Sequence, residues 1–371
     1  MRNSNTAQVL TSIAEALDDA NHAAHELVPL LEEAVELFNQ CLTIQEESFE
    51  RFQTPSPNGD EDMDADAEGG VSIPPSEQAP STQQQESEHW AQIVEPITYD
   101  SLIDTILAQL ESLTLLCSRL TNPASLRTIE KHTSDLLPKL DSYLQSSDKT
   151  TPERLSEVSL TKANFQASFS DAQFRLQQID FTKYERAVYD AYRNLDLAQD
   201  PKGLSDKAEA MLNFQSSLRI LTTEENLPQQ IIARWGALTQ ALTALGAAIK
   251  LPNVENLARI HLTRGDAELG RYQLRIMTGY PGTVAPEVLL KNAGVFYRGA
   301  SNQAAVSNDV EAVRVKKEAV VKNALVAALG GDSEGLKQLM GSELEVTREV
   351  IEDALGEGLV ELDSLVKIGF A

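Results

Sequence analysis

The chain has 371 residues, enough for two or three domains or one long repeat array, and it carries a net charge of −25 with a pI near 4.6. A surface that negative repels phosphate backbones, so direct nucleic-acid binding is not expected, whereas basic partners are drawn in by a field of one sign. The two cysteines, Cys41 and Cys117, lie in apolar helical patterns and are read as buried free thiols.

The N-terminus, MRNSNTAQVL, has no apolar core of the secretory kind, and no apolar run reaches the ~18 residues of a membrane span. A soluble intracellular protein is therefore expected. The charge is uneven. Residues 1–43 carry −6 and residues 44–95 carry −12, whereas residues 201–300 carry +3.

Taken in chain order, residues 6–21 set Val9, Ile13, Ala14, Leu17 and Ala20 on one stripe, which predicts a helix. Residues 29–45 repeat the pattern with Leu30, Leu31, Ala34, Leu37, Phe38, Cys41 and Leu42. The block GDEDMDADAEGG (59–70) then interrupts the helices. Residues 53–88 hold five prolines, nine carboxylates, no Lys or Arg and no aromatic residue. So little apolar surface cannot offset the entropy of ordering, so this segment is expected to be a disordered acidic insertion. Asp60, Asp62 and Asp64 have calcium-loop spacing. Ala65 and Val71 stand where that loop needs Gly and Glu, so no metal site is expected.

Beyond the insertion, residues 99–120 bring Leu102, Ile103, Ile106, Leu107, Leu110, Leu113 and Leu116 onto one broad face. Further helices are predicted near 124–145, 151–178, 181–198, 203–221, 228–250, 255–276, 284–304, 309–329, 333–340 and 345–355. Breakers such as Asp200-Pro201, Leu251-Pro252 and Gly330-Gly331 separate them. No stretch alternates like a strand. The predicted fold is all-α, a right-handed superhelix of tetratricopeptide-like helical hairpins (an α-solenoid). Three segments carry the repeat reading. Residues 31–44 use Ala34, Phe38, Cys41 and Leu42; residues 184–197 use Ala187, Ala191 and Leu195; residues 244–252 use Ala244, Ala247 and Pro252. The expected organisation is a first helical repeat at 1–52, the acidic insertion at 53–88, repeats through 89–345 and a C-terminal capping helix or tail at 346–371.

Catalytic chemistry finds no support. GDSEG (331–335) matches a nucleophile motif, but the preceding residues are helical rather than a strand, so Asp332 or Ser333 capping the next helix is the better reading. The five histidines form no set with metal-ligand spacing, no phosphate loop occurs and no cofactor is expected. Acidic stripes are more informative. Glu15, Asp18, Asp19 and Glu26 recur at helical spacing, as do Asp100, Asp104 and Glu111. Like charges stacked this way are mildly destabilising, so they are candidates for holding a basic, extended client in a concave groove.

Four stretches resemble a known family: HWAQIVEPITYDSLIDTILAQLESLTLLC (89–117), LLEEAVELFNQCLTIQE (30–46), ARIHLTRGDAELGRYQL (258–274) and VLLKNAGVFYRGAS (288–301). They resemble the fungal tetratricopeptide proteins that serve as assembly chaperone for the large-subunit ribosomal protein uL4. The resemblance implies a cofactor-free chaperone that captures newly made uL4, shields its long Arg-rich loop and escorts it from cytoplasm to nucleus for pre-60S assembly, as a monomer in a one-to-one complex. It also nominates Asp266 and Glu268, in RGDAEL, as client contacts, with pairing to the flanking Arg264 and Arg271 as the alternative. Within the insertion, Asp60, Glu61, Asp62, Asp64, Asp66 and Glu68 are expected to form a mobile polyanion beside the groove. A histone chaperone of the tetratricopeptide class and a general scaffold are the competing readings.

Overall fold

A computed structural model describes residues 2–19, 24–53, 97–147, 150–221, 227–252, 254–277, 283–307 and 309–370. Among these residues the chain is all-helical: α1 (Arg2–Asp19), α2 (Ala24–Gln53), α3 (Tyr99–Arg119), α4 (Pro123–Ser146), α5 (Pro152–Arg175), α6 (Phe181–Arg193), α7 (Pro201–Ile220), α8 (Leu227–Ala248), α9 (Leu257–Ile276), α10 (Pro286–Ala304), α11 (Val310–Leu329), α12 (Glu334–Ser342), α13 (Leu344–Gly356) and α14 (Leu362–Lys367).

Local chemistry sets the starts of these helices. Asn122, Thr151 and Asp200 each accept a hydrogen bond from a first-turn amide, and Pro123, Pro152 and Pro201 follow at the first helical position, where no N–H is needed. Thr98, Asp180 and Asp309 cap α3, α6 and α11 in the same way. In the GDSEG turn, Gly331 takes φ +102° and Asp332 accepts from the Glu334 amide at 3.3 Å. Ser333 makes no capping bond, so of the two expected caps Asp332 acts.

The helices pack in sequence order, with a second set of contacts between alternate members. α1 meets α2 and α3, α3 meets α4 and α5, and α5 meets α6 and α7. α7 packs on α8, α8 on α9, α9 on α10 and α11, and α11 on α12 and α13. α3 is the most thoroughly enclosed: Leu102, Ile103, Ile106, Leu110 and Leu113 are buried against α2, α4 and α5. It is also the one described helix long and apolar enough to cross a membrane by composition, and the packing of that stretch inside the protein makes it a core helix.

Polar side chains tie successive helices together. Arg175 of α5 donates to the carbonyls of Cys117 (2.6 Å) and Leu120 (3.0 Å), satisfying acceptors that the end of α3 leaves open. Asp171 pairs with Arg175 at 2.7 Å and accepts from Tyr184 Oη and Ser217 Oγ at 2.5 and 2.6 Å, which joins α5, α6 and α7. Cys41 and Cys117 are free and buried as expected. The C-terminal segment closes the core: Leu359, Val360 and Leu365 are buried among residues of α9, α10 and α11.

Two expected repeat registers are shifted. In α6 the buried residues are Tyr184, Val188 and Tyr192, while Ala187 and Ala191 are only half-buried. In α8 Ala248 is buried and Ala247 exposed. Large aromatic residues take the inward positions in α6, with Tyr184 stacked on Phe174 and tilted against Phe214.

Candidate functional site

The acidic residues singled out from sequence divide by half of the chain. Glu111 stands exposed on α3, with Glu15 of α1, Glu157 of α5 and Asp206 of α7 close enough to act on its charge. Its carboxyl is raised above the ordinary range, by crowding from the flanking helices first; Lys202 opposes that rise, and the three carboxylates add to it. Carboxylates from four alternate helices, here termed an acidic row, thus gather around Glu111. Asp206 is likewise raised by burial, although Asn164 donates to it at 2.7 Å and Lys202 favours its charged form.

Two cations are interleaved with this row. Arg154, at the start of α5, pairs with Asp104 and with Glu157 (2.7 Å) and donates to the carbonyl of Asp100 (3.2 Å). Lys202 is exposed at the start of α7. Asp104 and Glu111 therefore lie on one continuous face, but Asp104 is already ion-paired. The members missed from sequence, Glu157 and Asp206, sit on separate helices, and only packing brings those helices beside α3.

The remaining expected contacts fall elsewhere. Glu26 does not belong to the first helix. α1 ends at Asp19, and Glu26 lies in the first turn of α2 beside His25, 3.8 Å away. The side chains of Asp18 and Asp19, and the insertion residues Asp60, Glu61, Asp62, Asp64, Asp66 and Glu68, lie outside the described residues. The expectation of disorder for 53–88 lies outside them as well.

Asp266 and Glu268 are both engaged by cations, Glu268 inside the fold and Asp266 half-buried in the wall of a cleft. Glu268 is buried, paired with Arg271 at 3.2 Å and bonded by Asn292 at 3.2 Å. Asp266 accepts from Tyr297 Oη and from Lys322 Nζ, both at 2.9 Å. Lys322 is 1 % exposed and also meets Glu318 (2.7 Å) and Glu357 (3.6 Å). Three carboxylates share one enclosed ammonium, which holds its proton firmly because Asp266 and Glu318 outweigh the penalty of burial. These residues are engaged in holding α9, α11 and the end of α13 together.

A cleft of about 810 Å³ opens between α7 and α9 next to this cluster. Its walls carry Lys202, Glu209, Glu255, Arg259, Asp266 and Glu357, and Leu238 and Leu245 of α8 form its floor. No group of three or more His, Cys, Asp or Glu side chains suited to a metal ion occurs among the described residues.

Comparison with protein-family models, with curated proteins and with solved structures finds no match in any of the three.

Proposed function

We propose that this chain is a dedicated chaperone for a newly made, strongly basic ribosomal protein of the uL4 type, which it shields and escorts to assembly of the large subunit. The observation that carries this reading is the convergence of Glu15, Glu111, Glu157 and Asp206 from α1, α3, α5 and α7. An extended Arg- and Lys-rich segment laid across those helices meets a carboxylate at each step, and guanidinium–carboxylate pairs of this kind are roughly twice as strong as neutral hydrogen bonds.

The arrangement of helices supports the same reading. Alternate helices that touch one another, each with a partner packed behind it, suit tetratricopeptide-like hairpins wound into a right-handed superhelix, whose inner face is lined by the first helix of each pair. The nine carboxylates of 53–88 add attraction for a basic client near that face and compete with RNA for it. On this reading the protein works in cytoplasm and nucleus, as one copy per client.

The test is capture of partners by the tagged chain from a lysate of its source, with washes at low and high salt and identification by mass spectrometry. One dominant basic ribosomal protein, lost at high salt and lost from an E111Q/E157Q/D206N variant, is the expected result. Histones in its place, or a set of non-basic partners indifferent to salt, would overturn the proposal.

A further inference from the structure

The stripes of the helices that line the α7–α9 cleft continue beyond its open part. On α7, Leu212, Gln215 and Ser216 line it, and Arg219 continues their stripe at spacings of seven, four and three. On α8, Leu238 and Leu245 form the floor, and Arg234 lies one turn before Leu238 on the same side. Gln230 lies one turn further back. On α9, Asp266 lines the open part and Gln273 follows two turns later. The connection from α13 to α14 crosses this far end. Arg219 donates to the Gly356 carbonyl and packs on Gly358, which adopts φ +72° and has no Cβ to keep the guanidinium away.

Beneath that connection the polar groups are enclosed without partners. Arg234 is 5 % exposed, and Gln230 and Gln273 are each 3 % exposed. Arg234 Nε, Gln230 Oε1 and both amide atoms of Gln273 are shut off from solvent with no hydrogen bond. Among the described residues no carboxylate lies within 4.0 Å of Arg234 or Arg219. Burial first, and then Arg219, lower the Arg234 pKa to about 10, with Glu361 acting the other way. A buried guanidinium without a counter-ion is costly, because the desolvation of the charge is returned by nothing.

We propose that the covered end of the α7–α9 cleft is an anion site that takes a carboxylate of a bound polypeptide, gripped by Arg234 and Arg219 and flanked by the amides of Gln230 and Gln273. A planar carboxylate matches the two-pronged face of a guanidinium, and the unpartnered amide nitrogen of Gln273 offers a neutral donor beside it. Glu361 is the chain's own carboxylate that acts on Arg234. The site stands apart from the acidic row on α1, α3, α5 and α7 and does not depend on the function proposed for that row.

The experiment measures thermal unfolding of the full chain in increasing N-acetyl-glutamate amide, with N-acetyl-glutamine amide as neutral control and NaCl holding ionic strength constant. Wild type should show a saturable rise in Tm with the acid and none with the amide, and the rise should vanish in Arg234→Met and shrink in Arg219→Met. Without the acid, Arg234→Met should melt above wild type, since it removes an uncompensated buried charge. A flat response in wild type overturns the proposal, as does an equal response in all three proteins. An Arg234→Met chain that melts lower or fails to fold overturns it too, by showing that Arg234 already has a counter-ion.

Discussion

Replacing Lys322 by Met should be among the most damaging single changes in the chain, and its cost should depend on pH. The ammonium is 1 % exposed and bonds Asp266 at 2.9 Å and Glu318 at 2.7 Å, with Glu357 at 3.6 Å. Methionine fills much of the same space but leaves Asp266 and Glu318, both largely enclosed, facing each other and the more exposed Glu357 with no cation between them. Breaking a buried pair from one side costs about 3–5 kcal/mol. In the wild type, burial raises Asp266 and Glu357 while Lys322 pulls both down; Glu318 is lowered despite burial, through Lys322 first. A carboxyl whose folded pKa is raised contributes stability below its unfolded pKa and loses it as pH rises through the folded value. Without Lys322 all three carboxyls rise, Glu318 included. The penalty should therefore be largest at pH 8 and shrink as pH falls toward 5. Urea unfolding of wild type and Lys322→Met across that range measures it, and Asp266→Asn added to Lys322→Met should recover part of the loss at pH 8. A penalty below about 1 kcal/mol, or one equal at both pH values, would refute the reasoning.

Two further changes probe other parts of the core. Gly265→Ala on α9 puts a methyl into the ring of Tyr297, which is fully buried, so it should cost about 1–3 kcal/mol in equilibrium unfolding. Full wild-type stability would mean that the ring has room to move. The Cys117 thiol is pushed up to about 12, by burial first. At pH 8 its thiolate fraction is on the order of one in ten thousand, so an aromatic disulfide reagent should leave it unmodified until denaturant is added. Rapid native labelling at Cys117, located by peptide mapping, would contradict the burial.

Helix existence and order were legible in the sequence because an apolar stripe of period 3.6 survives in nearly every element and Pro or Gly marks most ends. The predicted span of 124–145 and the observed Pro123–Ser146 differ by one residue at each end. What sequence could not show is which face of a helix looks where. In α6 the small residues Ala187 and Ala191 suggested the inward stripe, yet the buried area is supplied by Tyr184 and Tyr192 one register away. The acidic face shows the same limit. Asp104 and Glu111 share a face by angle alone, whereas Glu157 and Asp206 join it only because α5 and α7 pack in line with α3. Asp266 and Glu268 are nominated by resemblance; the pairing of Glu268 with nearby Arg271 is open to sequence, whereas the partners Lys322 and Asn292 lie 56 and 24 residues further along the chain. Arg234 carried no signal at all: an arginine in an Ala-rich helix is ordinarily exposed, and only its 5 % exposure singles it out.

The two halves of the molecule spend their carboxylates differently, and this yields a prediction with two opposite signs. In the C-terminal half Asp266, Glu318 and Glu268 are drawn onto Lys322 and Arg271 inside the fold, where salt hardly reaches. In the N-terminal half Glu15, Glu111 and Glu157 remain at the surface, where crowding raises Glu111 first and the neighbouring carboxylates add to the rise. Raising NaCl from about 0.05 to 0.5 M shortens the screening length to a few ångströms. Repulsion within the row and across a chain of net charge −25 then falls, so the free protein should melt at a higher temperature. The same screening removes the attraction that draws an Arg-rich peptide to the row, so affinity for such a peptide should fall over the same range. Calorimetric melting and peptide titration on one sample series read both slopes. Stability that falls with salt would mean that surface ion pairs, such as Arg154 with Asp104, outweigh the repulsion. Peptide affinity unchanged by salt would mean that the row is not where a basic chain binds.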